Sequence, residues 1–190
     1  RMSGIRTTVL DDTVAVTKRP VIDTAPPSLM ALLNRNSYEK GGFVLHMLRS
    51  ELGDSAFFKG IRAYYTKHKH ANALTADLQA ALETSSGKKL GMFFDQWLRR
   101  PGYAEVDVTW RTDSTAKSIL LSVNQSGRYG LYEFPLRLAL ADPSGGTRRV
   151  EVGVPAQDTT KIELPISGPV ARVEADPEVQ VLARITVRRQ

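Results

Sequence analysis

Tyr38 is the residue whose surroundings in the sequence point most directly to chemistry. It lies between Asn36, which can cap a helix with its side-chain oxygen, and the pair Gly41-Gly42. Glu39 follows Asn36 by three residues, the spacing of a capping box. Each glycine costs a helix roughly 1 kcal/mol relative to alanine, so two in succession indicate a thin wall that another backbone or a substrate approaches closely. The Tyr38 hydroxyl is then expected to project from the helix end beside this wall.

A tyrosine in such a place is ordinarily a packing residue, half-buried with its hydroxyl on a nearby carbonyl. The residues after it support a buried helix, because Val44, Met47, Leu48 and Leu52 recur at steps of three and four. Spacing alone therefore leaves two interpretations of Tyr38 open, a core residue or an available hydrogen-bond donor.

Other catalytic chemistry finds little support. The chain has no cysteine and only three histidines, His46, His68 and His70. On a helix, His68 and His70 would point in different directions, and a zinc hydrolase needs three protein ligands and a general base. We expect all three histidines to be structural or solvated. The sequence contains neither a nucleophile elbow nor a complete phosphate-binding loop.

Charge and hydropathy bear on possible partners. The chain of 190 residues has a net charge of +6, with basic residues spread over several predicted helices. In the run Lys40-Gly41-Gly42-Phe43, Gly42 stands where an RNA-recognition strand needs an aromatic residue for base stacking. A solvated surface is expected, with no nucleic-acid partner. No apolar run is long enough to span a bilayer.

The stretch Asn-Ser-Tyr-Glu-Lys-Gly-Gly-Phe-Val-Leu-His-Met-Leu, residues 36–48, resembles the segment downstream of the zinc site in zinc aminopeptidases of the aminopeptidase N type. That gluzincin metallopeptidase family also includes leukotriene hydrolase. Further phrases resemble the family in its order: Arg-Pro-Val at 19–21, Leu-Gly-Asp-x-x-Phe at 52–57, Leu-Thr-Ala-Asp-Leu at 74–78 and Phe-Phe-Asp-Gln-Trp-Leu at 93–98. The resemblance extends over most of residues 18–105.

The resemblance implies a role for Tyr38. In this family, a tyrosine followed by x-Lys-Gly donates a hydrogen bond to the oxyanion of the tetrahedral intermediate. In the parent enzyme, a zinc-bound water would attack the first peptide bond of a peptide with a free amino terminus. The zinc motif His-Glu-x-x-His is not in this chain. The fragment is therefore expected to bind no zinc and to be inactive alone.

Two consequences follow for partners. The parent is expected to act on peptide substrates and to supply upstream catalytic and amino-terminal domains that are missing here. Apolar surface meant for those domains would give the fragment weak self-association. An alternative is a non-catalytic homologue in which the fold survives as a peptide-binding or scaffold module.

Periodicity predicts an α+β chain, a helical bundle followed by a seven-stranded immunoglobulin-like β-sandwich. The Tyr38 helix should end near Leu52-Gly53 and be followed by a helix that begins at Asp54. A third helix is expected from Thr75 to Gly87, and a fourth from Lys89 to Arg100. Residues 1–22 contain β-branched runs that favour a strand or extended loop.

A boundary is expected at Pro101-Gly102, where helical periodicity gives way to alternation. It separates a helical carboxy-terminal portion of a metallopeptidase catalytic domain, residues 1–102, from a β-sandwich domain, residues 103–190. The seven predicted strands are 105–110, 118–123, 134–140, 149–154, 161–164, 170–174 and 179–185.

Overall fold

The computed structural model describes residues 2–113, 115 and 117–190. These residues form four α-helices and seven β-strands, which confirms the predicted α+β class. They divide into two compact units: one comprises residues 12–101, and the other combines residues 2–11 with residues 102–190. None of the described helices is both long enough and apolar enough to cross a membrane.

The unit of residues 12–101 holds three of the helices and two short helical turns. The turns are a 3₁₀ turn, Leu29–Leu32, and a π-helical turn, Asn36–Lys40, which we call the Tyr38 turn. The helices are α2, Gly41–His68; α3, Thr75–Ser86; and α4, Gly91–Leu98. Gly53, with φ of 75°, breaks the helical conformation within α2 where the end of the Tyr38 helix was predicted.

One face of α2 contributes much of the core of this unit. Helix α2 buries Phe43, Val44, Met47, Leu48 and Phe57. In the second half of α2, Phe57 is buried, whereas Phe58 and Tyr65 are exposed. Gly60 lies against α3, because a Cβ at this position would meet Ser85 Oγ at 2.7 Å and Leu82 Cδ2 at 2.8 Å. Glycine therefore permits the close approach of α2 and α3.

The other unit contains the seven strands in two sheets. The strands are β1, Ala104–Asp113; β2, Ser118–Gln125; β3, Phe134–Ala141; β4, Thr147–Val154; β5, Thr159–Pro165; β6, Arg172–Ala175; and β7, Ala183–Arg189. One sheet has the order β5-β2-β1-β7 and the other β4-β3-β6, and only the β1–β7 pairing is parallel. Alternate residues of β1 and β3 are buried, as a sandwich with one inner face per sheet requires.

The first element corrects the sequence interpretation. Residues 2–10 form a helix, α1, and not the strand or loop that their β-branched residues favoured. The reason lies far along the chain: the Leu10 carbonyl accepts hydrogen bonds from Tyr103 Oη at 2.9 Å and from Arg184 Nη2 at 3.1 Å. Arg6 also pairs with the buried carboxylate of Asp176 at 2.5 Å. These contacts override local β propensity.

The last strand begins later than predicted, at Ala183 instead of residue 179. The Asp176 carboxylate accepts hydrogen bonds from the backbone of Gln180 and Val181, so this segment is a loop. Val179, with φ of 57°, lies in the left-handed region within it. The contacts of α1 associate residues 2–11 with the strands. The assignment of residues 1–102 and 103–190 to separate domains stays a prediction.

Candidate active site

The Tyr38 turn is wound more loosely than an α-helix. The backbone N–H of Lys40 donates to the carbonyl of Arg35 at 2.8 Å, a span of five residues, and the helix tightens into α2 from Gly41 onward. Such one-turn π segments are rare and occur frequently at functional sites. A Cβ at Gly41 would lie 3.4 Å from the Asn36 carbonyl, so glycine relieves contact where the turn enters α2.

Asn34, and not Asn36, caps this helix. Its side-chain Oδ1 accepts the backbone N–H of Asn36 at 2.8 Å and that of Ser37 at 3.4 Å. The predicted Asn36 cap is wrong because Arg35 already has helical torsion angles, with φ of −63° and ψ of −21°. The capping box expected with Glu39 is absent from the hydrogen bonds of the described residues. The cap therefore lies two residues earlier than the sequence suggests.

The two faces of the turn differ in polarity and exposure. Asn36 is 2% exposed and Lys40 is fully buried, while Tyr38, midway between them, is 62% exposed. Side chains four residues apart share a helix face, and the residue midway between them lies on the opposite side. The turn thus directs two polar side chains inward and the phenol outward.

Asn36 binds the segment that precedes the turn. Its Nδ2 donates to the carbonyl of Arg19 at 2.9 Å and to that of Ala15 at 3.1 Å. Its Oδ1 is buried and has no hydrogen-bond partner among the described residues. One side chain thereby connects the turn to two carbonyls about twenty residues earlier in the chain.

Lys40 binds the segment that follows α4. Its Nζ donates to the carbonyl of Arg100 at 3.1 Å, across 60 residues of sequence. The ion pairs of the described residues do not include Lys40. Burial without a countercharge lowers the pKa of the Lys40 amine to about 7, because desolvation penalises the ammonium form.

Tyr38 presents an unengaged hydroxyl. The structure gives its side chain no hydrogen-bond partner among the described residues, and its backbone N–H donates to Asn34 at 3.3 Å. A Cβ built on Gly42 would meet no described atom within 4 Å, so the thin wall predicted beside Tyr38 faces open space. The phenol and this open helix face together make the candidate active site.

The histidines show no ligand set. His46 lies edge-on to Phe43, with ring centroids 5.6 Å apart, and His68 Nε2 lies 3.7 Å from Asp77 Oδ1. His70 has a left-handed backbone, with φ of 66°. Within residues 2–113, 115 and 117–190, no group of three or more His, Asp or Glu side chains is arranged to hold a metal ion. The described residues thus do not fit the zinc that the resemblance implies for the parent.

Comparison with known proteins identifies the family to which the sequence is related. Residues 4–97 match the peptidase family M1 domain. The chain belongs to the M1 peptidase family. Aminopeptidase N of Lactococcus lactis subsp. lactis is 39% identical over 118 residues, which is 58% of this chain and 14% of that protein. Aminopeptidase N of Lactobacillus delbrueckii subsp. lactis is 44% identical over 70 residues, or 37% of this chain and 8% of that protein.

The fold agrees with that of a solved aminopeptidase. A crystal structure of Legionella pneumophila aminopeptidase A in complex with aspartic acid superimposes with a TM-score of 0.74 and 18% identity. The alignment covers 90% of this chain and 20% of that one. It therefore includes most of both compact units. The chain spans a fifth or less of the length of each of these relatives.

Lys40 is the residue of this site that sequence reasoning missed. The lysines were interpreted as a solvated surface, whereas Lys40 has no exposed area. A signal was present in the spacing, because Lys40 precedes the buried Val44 and Met47 by four and seven residues. Those steps place it on the apolar face of the helix.

Proposed function

We propose that this chain is part of a zinc-dependent aminopeptidase that removes amino-terminal residues from peptides, and that Tyr38 stabilises the oxyanion in that reaction. The observation that carries the proposal is the Tyr38 phenol, 62% exposed and without a partner among the described residues, within a segment that matches the M1 peptidase domain. An unengaged donor beside an open helix face suits a group that binds a reacting atom.

The chemistry asked of Tyr38 is the donation of one hydrogen bond. Attack on a peptide carbonyl turns its oxygen into an oxyanion, and a neutral phenol held near that oxygen donates to it more strongly as the charge develops. One preorganised donor of this kind contributes on the order of 2.7–4 kcal/mol, or about 10²–10³ in turnover. Since the gain arises in the transition state, it should appear in kcat and much less in KM.

The metal of the parent belongs to other residues. Among its described residues, this chain has no cluster of three or more His, Asp or Glu side chains that could coordinate zinc. Peptides with a free amino terminus are the proposed substrates. They would meet Tyr38 only in the assembled enzyme, where the missing catalytic residues stand beside it. We therefore expect the chain alone to be inactive.

Replacement of Tyr38 by phenylalanine in the whole enzyme tests the proposal. Tyr38→Phe removes only the hydroxyl, and kcat for an aminoacyl-anilide should fall about 10²–10³-fold while KM changes little. Tyr65→Phe is the matched control, because Tyr65 is also exposed, at 68%, and lies on α2. Its kcat should equal that of the wild type. Wild-type turnover in Tyr38→Phe would overturn the assigned role.

A further inference from the structure

The position of the Tyr38 ring depends on how the Tyr38 turn is held, and other residues of the turn make the contacts that hold it. Its side chain has no hydrogen-bond partner among the described residues, so the backbone of the turn and the side-chain rotamer together determine where the phenol points. Because the phenol is long, a small rotation of the turn displaces the hydroxyl by more than it displaces the Cα. A displacement of 1 Å at a reacting group can cost about 100-fold in rate.

Two buried side chains hold this turn from its inner face. Asn36 Nδ2 bonds to carbonyls at residues 15 and 19, and Lys40 Nζ bonds to the carbonyl at residue 100. The three carbonyls belong to segments that enter and leave the helical unit. The turn is therefore fixed at both of its ends, with Tyr38 between the two attachments.

Lysine at position 40 would be an unfavourable residue if its only role were to fill space in the core. A buried amine loses its hydration, and the hydrogen-bond partner of Lys40 Nζ among the described residues is a neutral carbonyl. Methionine would fill a similar volume without that cost. What methionine cannot do is donate a hydrogen bond to Arg100, and that bond is what holds the end of the turn.

We propose that Lys40, together with Asn36, is a positioning residue that aims Tyr38 by binding the Tyr38 turn to the Arg100 carbonyl and to the carbonyls of residues 15 and 19. This inference rests on the proposed function of Tyr38. Lys40 does not touch the substrate, and it acts only through the tyrosine.

A double-mutant cycle in the whole zinc-loaded enzyme tests it. Lys40→Met should lower kcat about 10- to 100-fold with little change in KM, because the donor is lost and the volume is kept. In a Tyr38→Phe background the same substitution should change kcat less than about 2-fold, since nothing remains to be aimed. Lys59→Met is the control, because Lys59 is an exposed lysine of α2, and it should leave kcat unchanged.

Hydrogen exchange on the chain described here gives a second readout that needs no metal. In Lys40→Met the amides of residues 36–41 should exchange at least about 10-fold faster, while those of residues 44–48 in α2 keep their protection. Lys59→Met should alter neither. Loss of protection over both segments would show that Lys40 merely stabilises the fold, and would overturn the inference.

The outcomes separate this inference from the proposed function. If Tyr38→Phe keeps wild-type turnover, the proposed function fails, and the positioning role fails with it. If Tyr38→Phe is impaired while Lys40→Met is not, or while the two effects multiply, only the positioning role fails. Should Lys40→Met not fold, Lys40→Gln takes its place in the cycle. It keeps an N–H donor at shorter reach, and the same coupling to Tyr38 is expected.

Discussion

Lys40→Met should change how the stability of this chain depends on pH. The Lys40 amine has its pKa lowered by burial from 10.5 to about 7. At pH values between these two, the unfolded chain holds a proton on this lysine and the folded chain does not. Stability rises with pH wherever the unfolded state binds more protons, so folding becomes more favourable from pH 7 towards pH 10.5.

The size of the effect follows from the same two values. A difference of about 3.5 pKa units corresponds to about 5 kcal/mol, at 1.36 kcal/mol per unit. Below pH 7 the wild type bears this whole cost of burying an ammonium, whereas methionine bears none. Loss of the hydrogen bond to Arg100 removes about 1 kcal/mol from the variant. Lys40→Met should therefore be the more stable protein at pH 7.

The advantage of the variant should shrink with rising pH. Between pH 7.5 and 9.5 the wild type should gain about 2–3 kcal/mol relative to Lys40→Met. Urea unfolding followed by helical circular dichroism measures this, because three of the four described helices lie in the unit of residues 12–101. Lys59→Met, at an exposed site, should track the wild type. A difference between wild type and Lys40→Met that stays constant over this range would refute the reasoning.

Three further outcomes are expected. Gly60→Ala should destabilise the chain by about 1–3 kcal/mol in urea unfolding, because its Cβ would meet Ser85 and Leu82 within 2.8 Å, and Gly42→Ala, in open space, should show no such loss. The purified, untagged chain should bind no stoichiometric zinc in calorimetry and hydrolyse no aminoacyl-anilide, and zinc-dependent turnover above background would contradict this. Sedimentation should reveal weak, concentration-dependent self-association, because Leu29 and Met30 are 82% and 72% exposed. Met30→Glu should weaken this association. A strictly monomeric profile of the wild-type chain would contradict the prediction.

Much of the fold was predictable because its patterns are local. Alternation along β1 identifies Val106, Val108 and Trp110 as inward residues, and all three are buried. Gly53 and Gly87 interrupt the helical pattern, and both have positive φ, which glycine adopts at little cost. Such signals need only a few neighbouring residues to be understood.

The errors arise where distant residues decide the local structure. The β-branched residues of α1 favour extended backbone, yet Tyr103 and Arg184 bond to the Leu10 carbonyl and keep the segment helical. Asp176 delays β7 by accepting backbone hydrogen bonds from residues 180 and 181. Neither set of partners can be identified from spacing, because they become neighbours only in the folded unit.

Lys40 combines a feature that local spacing predicts with one that it does not, and its burial affects both the stability of the chain and the proposed role of Tyr38. Its place on the apolar face of α2 was readable from the spacing to Val44 and Met47, but a lysine there contradicts the usual exposure of that residue type. Such local conflicts are expected at functional sites, where stability is lost in favour of a required geometry. If Lys40→Met is more stable at neutral pH and yet has a lower kcat, the wild type gives up stability to keep the geometry that positions Tyr38. If Lys40→Met instead lost both stability and turnover in either Tyr38 background, the lysine would be an ordinary part of the core.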